Sequence, residues 1–337
     1  MPRRPGSPVR ARPQVPDVIL RREVPPAMAL TEVRAGRWER IRPGAYLPVV
    51  EAPEPYVDLH RRALARIVAV DAGLDTEHAL SHESAALLWG LPLIGDGSTV
   101  HLTQVIAQHR GSADVRRHRH RLSDGDVVEL DGRRVTSLAR TVADCASSLP
   151  AQDGLALADS ALRRGLDRAE CLDLLRGRVG HRGVRRAMAV LGLADDGAES
   201  PGESRLRHVV LRAGLPVPQT QVLVETREGS AWGDLGWPEW RLIAEYDGVA
   251  KYTARSTAAA AVLKERRREV AVEREGWRVV RVTSADLRRP EALVAELIRR
   301  APPGTRERLR PRVWLASPSE RQQAAGPERA GEASQQR

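Results

Sequence analysis

The clearest patterning lies between residues 203 and 300. Residues 203–214 carry apolar positions at 206, 209, 210 and 213, one face of a helix. Ser200-Pro201 supplies its start and Gly214 its stop. Residues 218–225 predict a strand. A second short run ends at Asp234, and residues 240–246 predict a buried strand. The intervening Gly236-Trp237-Pro238-Glu239 is a turn signal, so these two runs form a hairpin. An Arg/Glu-rich helix follows over 257–275, ended by Gly276, then a strand over 277–283 and a helix over 286–300. The predicted order is α-β-β-β-α-β-α.

The preceding chain is patterned less evenly. Residues 18–20 open a short helix and Thr31–Gly36 predicts a second, capped by Thr31 and closed by Gly36. Residues 38–47 alternate and turn at Pro43-Gly44, a β-hairpin after a helix pair: a small winged helix. An amphipathic helix is expected over 56–71 and another over 79–90 with Ser81 as its cap. Strands are expected at 100–103 and 115–121, and a hairpin at 127–136 turning on Asp131-Gly132. Helices follow from 138, 151, 167 and 183. The acidic, turn-rich run 193–202 is the expected domain boundary. The resulting division is a basic disordered tail (1–16), a winged-helix domain (17–55), an α+β middle domain (56–195), a C-terminal α/β domain (196–302) and a disordered tail (303–337). The fold class is α+β and α/β, multidomain.

Composition adjusts this picture in three ways. The 337 residues carry 54 Lys+Arg against 44 Asp+Glu, a net charge of +10, which favours a polyanionic partner, nucleic acid first. The two cysteines, Cys145 and Cys171, form no CxxC pair and are expected as buried thiols in a reducing cytoplasm. No apolar run approaches the ~20 residues of a membrane span, and no apolar stretch follows the N-terminal arginines as a secretory signal requires.

Candidate chemistry concentrates on the hairpin. Strand alternation puts Glu245 and Asp247 on one face, and the turn brings Asp234 close to the strand that carries them. Carboxylates crowded in an apolar sheet repel each other and resist desolvation, and a hard divalent cation such as Mg²⁺ relieves both costs. Lysine stands only at 251 and 264; every other basic side chain is arginine. A lysine can act as a compact point charge or lose its proton, which arginine cannot. In the N-terminal part, Arg34 and Arg37 near the helix and Arg40 and Arg42 on the hairpin are placed to contact phosphates. Arg116, Arg117, Arg119 and Arg121 suit either a phosphate backbone or a charged edge strand. His82 with Ser84 reads as a helix start rather than a base and nucleophile. His101, His118 and His120 have no carboxylate or cysteine in the pattern to complete a metal set.

With these residues in place, the C-terminal third resembles the PD-(D/E)XK nuclease superfamily, and within it the very-short-patch-repair-endonuclease-like domains. The likeness is carried by Glu203-Ser204-Arg205, Asp234, Glu245-Tyr246-Asp247-Gly248, Lys251-Tyr252, Glu265 to Glu269 and Gly276 to Thr283. It implies hydrolysis of a phosphodiester, with Asp234 and Glu245 holding Mg²⁺ or Mn²⁺ and Glu203 as an outer or second-metal ligand. The superfamily places a lysine two residues after the glutamate; here that position is Asp247. Lys251 or Lys264 would have to replace it. Gly36-x-Trp38…Arg42-x-Gly44-x-Tyr46 resembles the winged helix of AbiEi-type antitoxins of type IV toxin–antitoxin systems. Ser81-His82-x-Ser84-Ala85-Ala86, Val100-His101-Leu102-Thr103 and Val135-Thr136-Ser137-x-x-Arg140-Thr141-x-x-Asp144 extend the likeness to about residue 190. The two resemblances imply either a Mg²⁺-dependent DNA endonuclease, or a DNA-binding regulator or antitoxin whose nuclease fold has lost catalysis. A third implied role is to hold a cognate toxin protein.

Overall fold

The computed structural model describes residues 11–51, 54–105, 112–248, 258–317 and 320. Within these, the chain mixes helix and sheet in two compact units. One runs to Cys145 and takes in Leu166–Leu174; the other holds Ala146–Gly165 and Leu175 onward.

The first unit begins with β1 (Ile19–Leu20), α1 (Pro26–Arg34), β2 (Trp38–Arg42) and β3 (Ala45–Pro48), whose strands order β1-β3-β2. The hairpin turns at Pro43-Gly44 as expected, and Gly44 takes the left-handed φ of 77° that the turn needs. Two expectations fail. Residues 18–20 are not themselves helical: Ile19 pairs with Tyr46 and Leu20 with Ala45, and only a short 3-10 turn, Arg21–Glu23, follows with Leu20 as its N-cap. An apolar pair led by the β-branched Ile19 gains a ladder there that one isolated turn would not provide. The next helix starts at Pro26, not at Thr31. Proline suits the first helical position because its missing N–H has no partner there anyway. Thr31 lies inside the helix, its hydroxyl bonded back to Ala27 O at 2.9 Å. One α-helix therefore precedes the hairpin, not a pair.

The unit continues through α2 (Pro55–Asp71), β4 (Ala79–Leu80), α3 (His82–Leu88), β5 (Val100–Gln104), β6 (Val115–Arg119), β7 (Val127–Leu130) and β8 (Arg133–Thr136). These strands form a sheet ordered β6-β5-β4-β8-β7, with the arginine-rich β6 at its edge. Leu64, Ile67, Val70, Leu80, Leu87, Leu102 and Val135 make one core beneath it. Next along the chain come α4 (Leu138–Ser148), α5 (Ala151–Arg163), α6 (Arg168–Arg176) and α7 (Val184–Leu193), of which α5 and α7 belong to the second unit. On α4, Arg140 pairs with Asp144 at 2.9 Å, the expected helical ion pair, and also with Asp126 at 3.2 Å. Cys145 and Cys171 are buried free thiols.

The second unit contains α8 (Pro201–Arg212), β9 (Gln219–Thr226), β10 (Gly229–Trp237), β11 (Leu242–Asp247), α9 (Ala258–Arg274), β12 (Arg278–Thr283), α10 (Ser284–Leu287), α11 (Pro290–Arg300) and α12 (Thr305–Arg308). The predicted element order is found. Strands β9, β10 and β11 are antiparallel neighbours, and β12 returns parallel to β11 through α9. Leu206, Val210, Leu235, Trp237, Leu242, Ala244, Val280 and Val282 build the core between α8 and the sheet. Val222, Ala231, Ile243 and Val272 build another against α9.

The run 193–202, expected as a domain boundary, lies inside this second unit. Asp159 on α5 joins Arg207 on α8 at 2.9 Å, both fully buried, and also accepts the Asp195 N–H at 2.7 Å. A buried charge tolerates burial only with such partners, so α5 and α7 stay with α8. Residues 303–317 are not a disordered tail either. Leu315 is buried, His208 Nε2 lies 3.0 Å from Leu315 O, and Arg312 donates to Leu211 O at 2.6 Å. Arg310 passes so close to Gly214 that a Cβ there would meet its backbone at 2.3 Å. The apolar Val313-Trp314-Leu315 run, short and surrounded by arginines, is the signal for this strap.

Candidate metal and nucleic-acid site

The site forms where β10 and β11 part. Their ladder pairs Trp237 with Leu242, Gly236 with Ile243 and Leu235 with Ala244. One step further the pairing would bring Asp234 opposite Glu245. There Asp234 Oδ2 instead accepts the Tyr246 N–H at 2.7 Å. A carboxylate thus satisfies a strand N–H and is fixed at the mouth of the hairpin.

Glu203 reaches the same end from α8. Ser200 caps that helix, its Oγ accepting the Glu203 N–H at 3.2 Å. Glu203 in turn accepts the Glu199 N–H at 2.7 Å and the Ser200 hydroxyl at 2.9 Å, the reciprocal arrangement that closes a helix start. Gly202 lies beneath the Tyr246 ring, with room for no Cβ: one would fall 2.0 Å from Tyr246 Cε1. This close approach holds the start of α8 against β11. Burial pushes the Glu203 carboxyl up to about 7, and repulsion from Asp234 pushes in the same direction.

Glu245 is buried on β11, and its Oε1 meets Arg268 Nη2 of α9 at 2.5 Å. The same guanidinium donates to Trp232 O at 2.6 Å, so it clamps both strands of the hairpin. Asp247, two residues on, is half-buried and registers with Thr283 of β12. Asp234, Glu203 and Glu245 therefore come to one end of the sheet. Lys251 lies outside the described residues, and so does the side chain of Lys264.

Arg268 is the cation that reading the sequence missed. It sits in Arg266-Arg267-Arg268, where residue type separates none of the three. Spacing does: Arg268 precedes the buried Ala271 and Val272 by three and four positions, which places it on the sheet-facing side of α9.

The four N-terminal arginines are not equivalent. Arg37 is held by Glu32 through two bonds of 2.6 and 2.7 Å. Arg42 is half-buried with its Nε 3.3 Å from Asp114. Arg34 and Arg40 are exposed.

No protein-family model matches this chain. It is similar to two mycobacterial proteins. Uncharacterized protein MT2308 comes from Mycobacterium tuberculosis (strain CDC 1551 / Oshkosh), and Uncharacterized protein Rv2248 from Mycobacterium tuberculosis (strain ATCC 25618 / H37Rv). Each is 29% identical over 271 residues, which is 80% of this chain and 94% of the relative. The likeness thus runs across most of both chains rather than through one segment. Among the described residues, no helix is long and apolar enough to cross a membrane.

Proposed function

We propose that the protein is a DNA-binding, metal-dependent endonuclease, with a PD-(D/E)XK-like C-terminal domain and an AbiEi-like N-terminal part that holds the DNA. The observation that carries this is the placing of three acids from three elements at one end of the sheet: Glu203 at the start of α8, Asp234 on β10, held by the Tyr246 N–H, and Glu245 on β11. Their oxygens suit a hard cation such as Mg²⁺ or Mn²⁺. A carboxylate has about four acceptor positions, so the hydrogen bonds made by Glu203 and Asp234 leave them able to ligate. Asp234 and Glu203 would hold the ion, and Glu245 would complete the set. When bound, the ion would lower the pKa of a water and offset charge on the phosphoryl group. Arg268 takes the place that a lysine two residues past Glu245 has in the superfamily: a fixed positive charge beside the carboxylate. Asp247 stands at that position and carries the wrong sign for the role.

A second reading rests on the same clamp. An arginine already on Glu245 neutralises that carboxylate without a metal, as expected of a DNA-binding regulator or antitoxin whose nuclease fold is inactive. The test is cleavage of supercoiled plasmid in Mg²⁺ or Mn²⁺ by the wild type, Asp234→Ala and Glu245→Ala. Nicking that both substitutions and EDTA abolish supports the enzyme. An intact plasmid that is still retarded on a gel supports the regulator. Failure of both removes DNA as the partner and leaves a toxin protein to be tried.

A further inference from the structure

A separate group of side chains in the first unit has the make-up of a transition-metal site. His82 opens α3, His101 lies on β5 and His118 on the parallel edge strand β6. One ring nitrogen from each lies within 4.8 Å of the others. His101 Nδ1 is 3.1 Å from His118 Nε2, and Glu83 Oε2 is 3.0 Å from the same His101 Nδ1. The last contact is out of line for a hydrogen bond, and Glu83 Oε2 is a buried oxygen with no hydrogen-bond partner. A single Nδ1 has one proton or one lone pair, so it cannot serve both neighbours well.

Tetrahedral ligands about 2.0–2.1 Å from Zn²⁺ stand about 3.3–3.4 Å apart, so separations of 3.0–3.1 Å need to open by only a few tenths of an ångström to share an ion. His82 adopts a left-handed φ of 50°, a conformation a non-glycine residue keeps only when its surroundings impose it. His82 and His118 stack with centroids 3.5 Å apart, so a χ2 rotation of one ring is needed to bring its lone pair onto a shared ion.

We propose that His82, His101 and His118 bind one divalent transition metal of the Zn²⁺ class, tying α3 to β5 and β6, with Glu83, which lies outside the three-histidine cluster but 3.0 Å from His101 Nδ1, turning in as the fourth ligand. Imidazole suits Zn²⁺, Co²⁺ or Ni²⁺, and three nitrogens with one carboxylate oxygen complete a four-ligand site. His120, two residues past His118, is not part of it. In the sequence His101, His118 and His120 lacked a residue to complete a metal set; the fold brings His82, not His120, to the other two.

The probe is Co²⁺ added to the full-length, tagless, metal-free protein. The expected result is uptake of one equivalent with tetrahedral visible bands. His101→Gln and His118→Gln should each weaken binding by at least about 100-fold, Glu83→Gln by about 10–100-fold, and His120→Gln not at all. Because the buried variants could unfold, the wild type is also titrated with Zn²⁺ and followed through its imidazole ¹⁵N signals. Shifts confined to His82, His101 and His118 support the site. Absence of stoichiometric uptake, or shifts confined to other histidines, overturns it. This outcome is independent of plasmid cleavage, which rests on acids in the other unit.

Discussion

Glu203 gives a pH signature that can be separated from everything else in the chain. Its pKa rises from the ordinary carboxyl range to about 7 in the folded protein. Between those values the unfolded chain has released this proton while the folded one keeps it. The Glu203 contribution to the stability of the second unit therefore falls as pH rises through that window, by on the order of 2 kcal/mol, while His208, whose pKa burial lowers to about 4, acts in the opposite sense and is common to wild type and variant. Glu203→Gln should flatten the decline, since an amide can still accept the Glu199 N–H and donate to Ser200 Oγ. Urea melts at pH 5 and pH 7.5 measure it; an unchanged difference between wild type and variant would reject the assignment. Mg²⁺ should reverse the trend in the wild type, because an ion on Asp234 and Glu203 displaces the proton. A second residue-scale case is Asp159–Arg207. Arg207→Met leaves a buried carboxylate alone and should cost about 3–5 kcal/mol, whereas Asp159→Leu with Arg207→Met should recover most of it. Chemical denaturation of both variants decides this, and equal losses would count against it.

At the scale of elements, among the described residues α9 reaches the site through the Arg268 guanidinium. Arg268→Ala removes charged hydrogen bonds to Glu245 and to Trp232 O together, a loss of about 1.5–3 kcal/mol. Arg268→Lys should not restore both, because an ammonium lacks the planar fork that spans them. If the protein cuts DNA, both variants should lower the rate as well as stability; a variant that melts normally yet cuts at the wild-type rate would exclude Arg268 from the chemistry. This element also marks what the sequence could tell. The order from α8 to α11 was legible because each apolar run switches cleanly between periods of about 3.6 and 2, with Gly214 and Gly276 as stops. The acids Asp234 and Glu245 were legible because charge inside an apolar strand is conspicuous. Arg268 was not: in a helix where polar residues cover most faces, the buried side is fixed by packing. The His82 group was hidden for another reason. Its three imidazoles come from three elements, and the parallel β5–β6 pairing that joins two of them leaves no local spacing to read. The strand at Ile19–Leu20 was missed because two residues carry too little pattern; its ladder partners lie 27 and 25 residues away.

For the whole molecule, the net charge of +10 argues for a polyanion, but charge that is already paired contributes little to binding one. Arg37 is shared with Glu32 and Arg42 with Asp114, while Arg34 and Arg40 are exposed. A phosphate contact releases roughly one counterion, so the slope of log K against log salt counts those that matter. We predict that Arg34→Ala and Arg40→Ala each reduce the slope by about 1 on duplex DNA, weakening binding evenly across sequences. Arg42→Ala should leave the slope nearly unchanged, because the wild-type charge is offset by Asp114. Fluorescence anisotropy between about 50 and 200 mM salt resolves such differences. Equal losses from all three substitutions would mean that the paired arginine gives up its acid on binding. No salt dependence in the wild type would remove the phosphate backbone as the ligand, and would turn the exposed hairpin arginines toward an acidic protein surface instead.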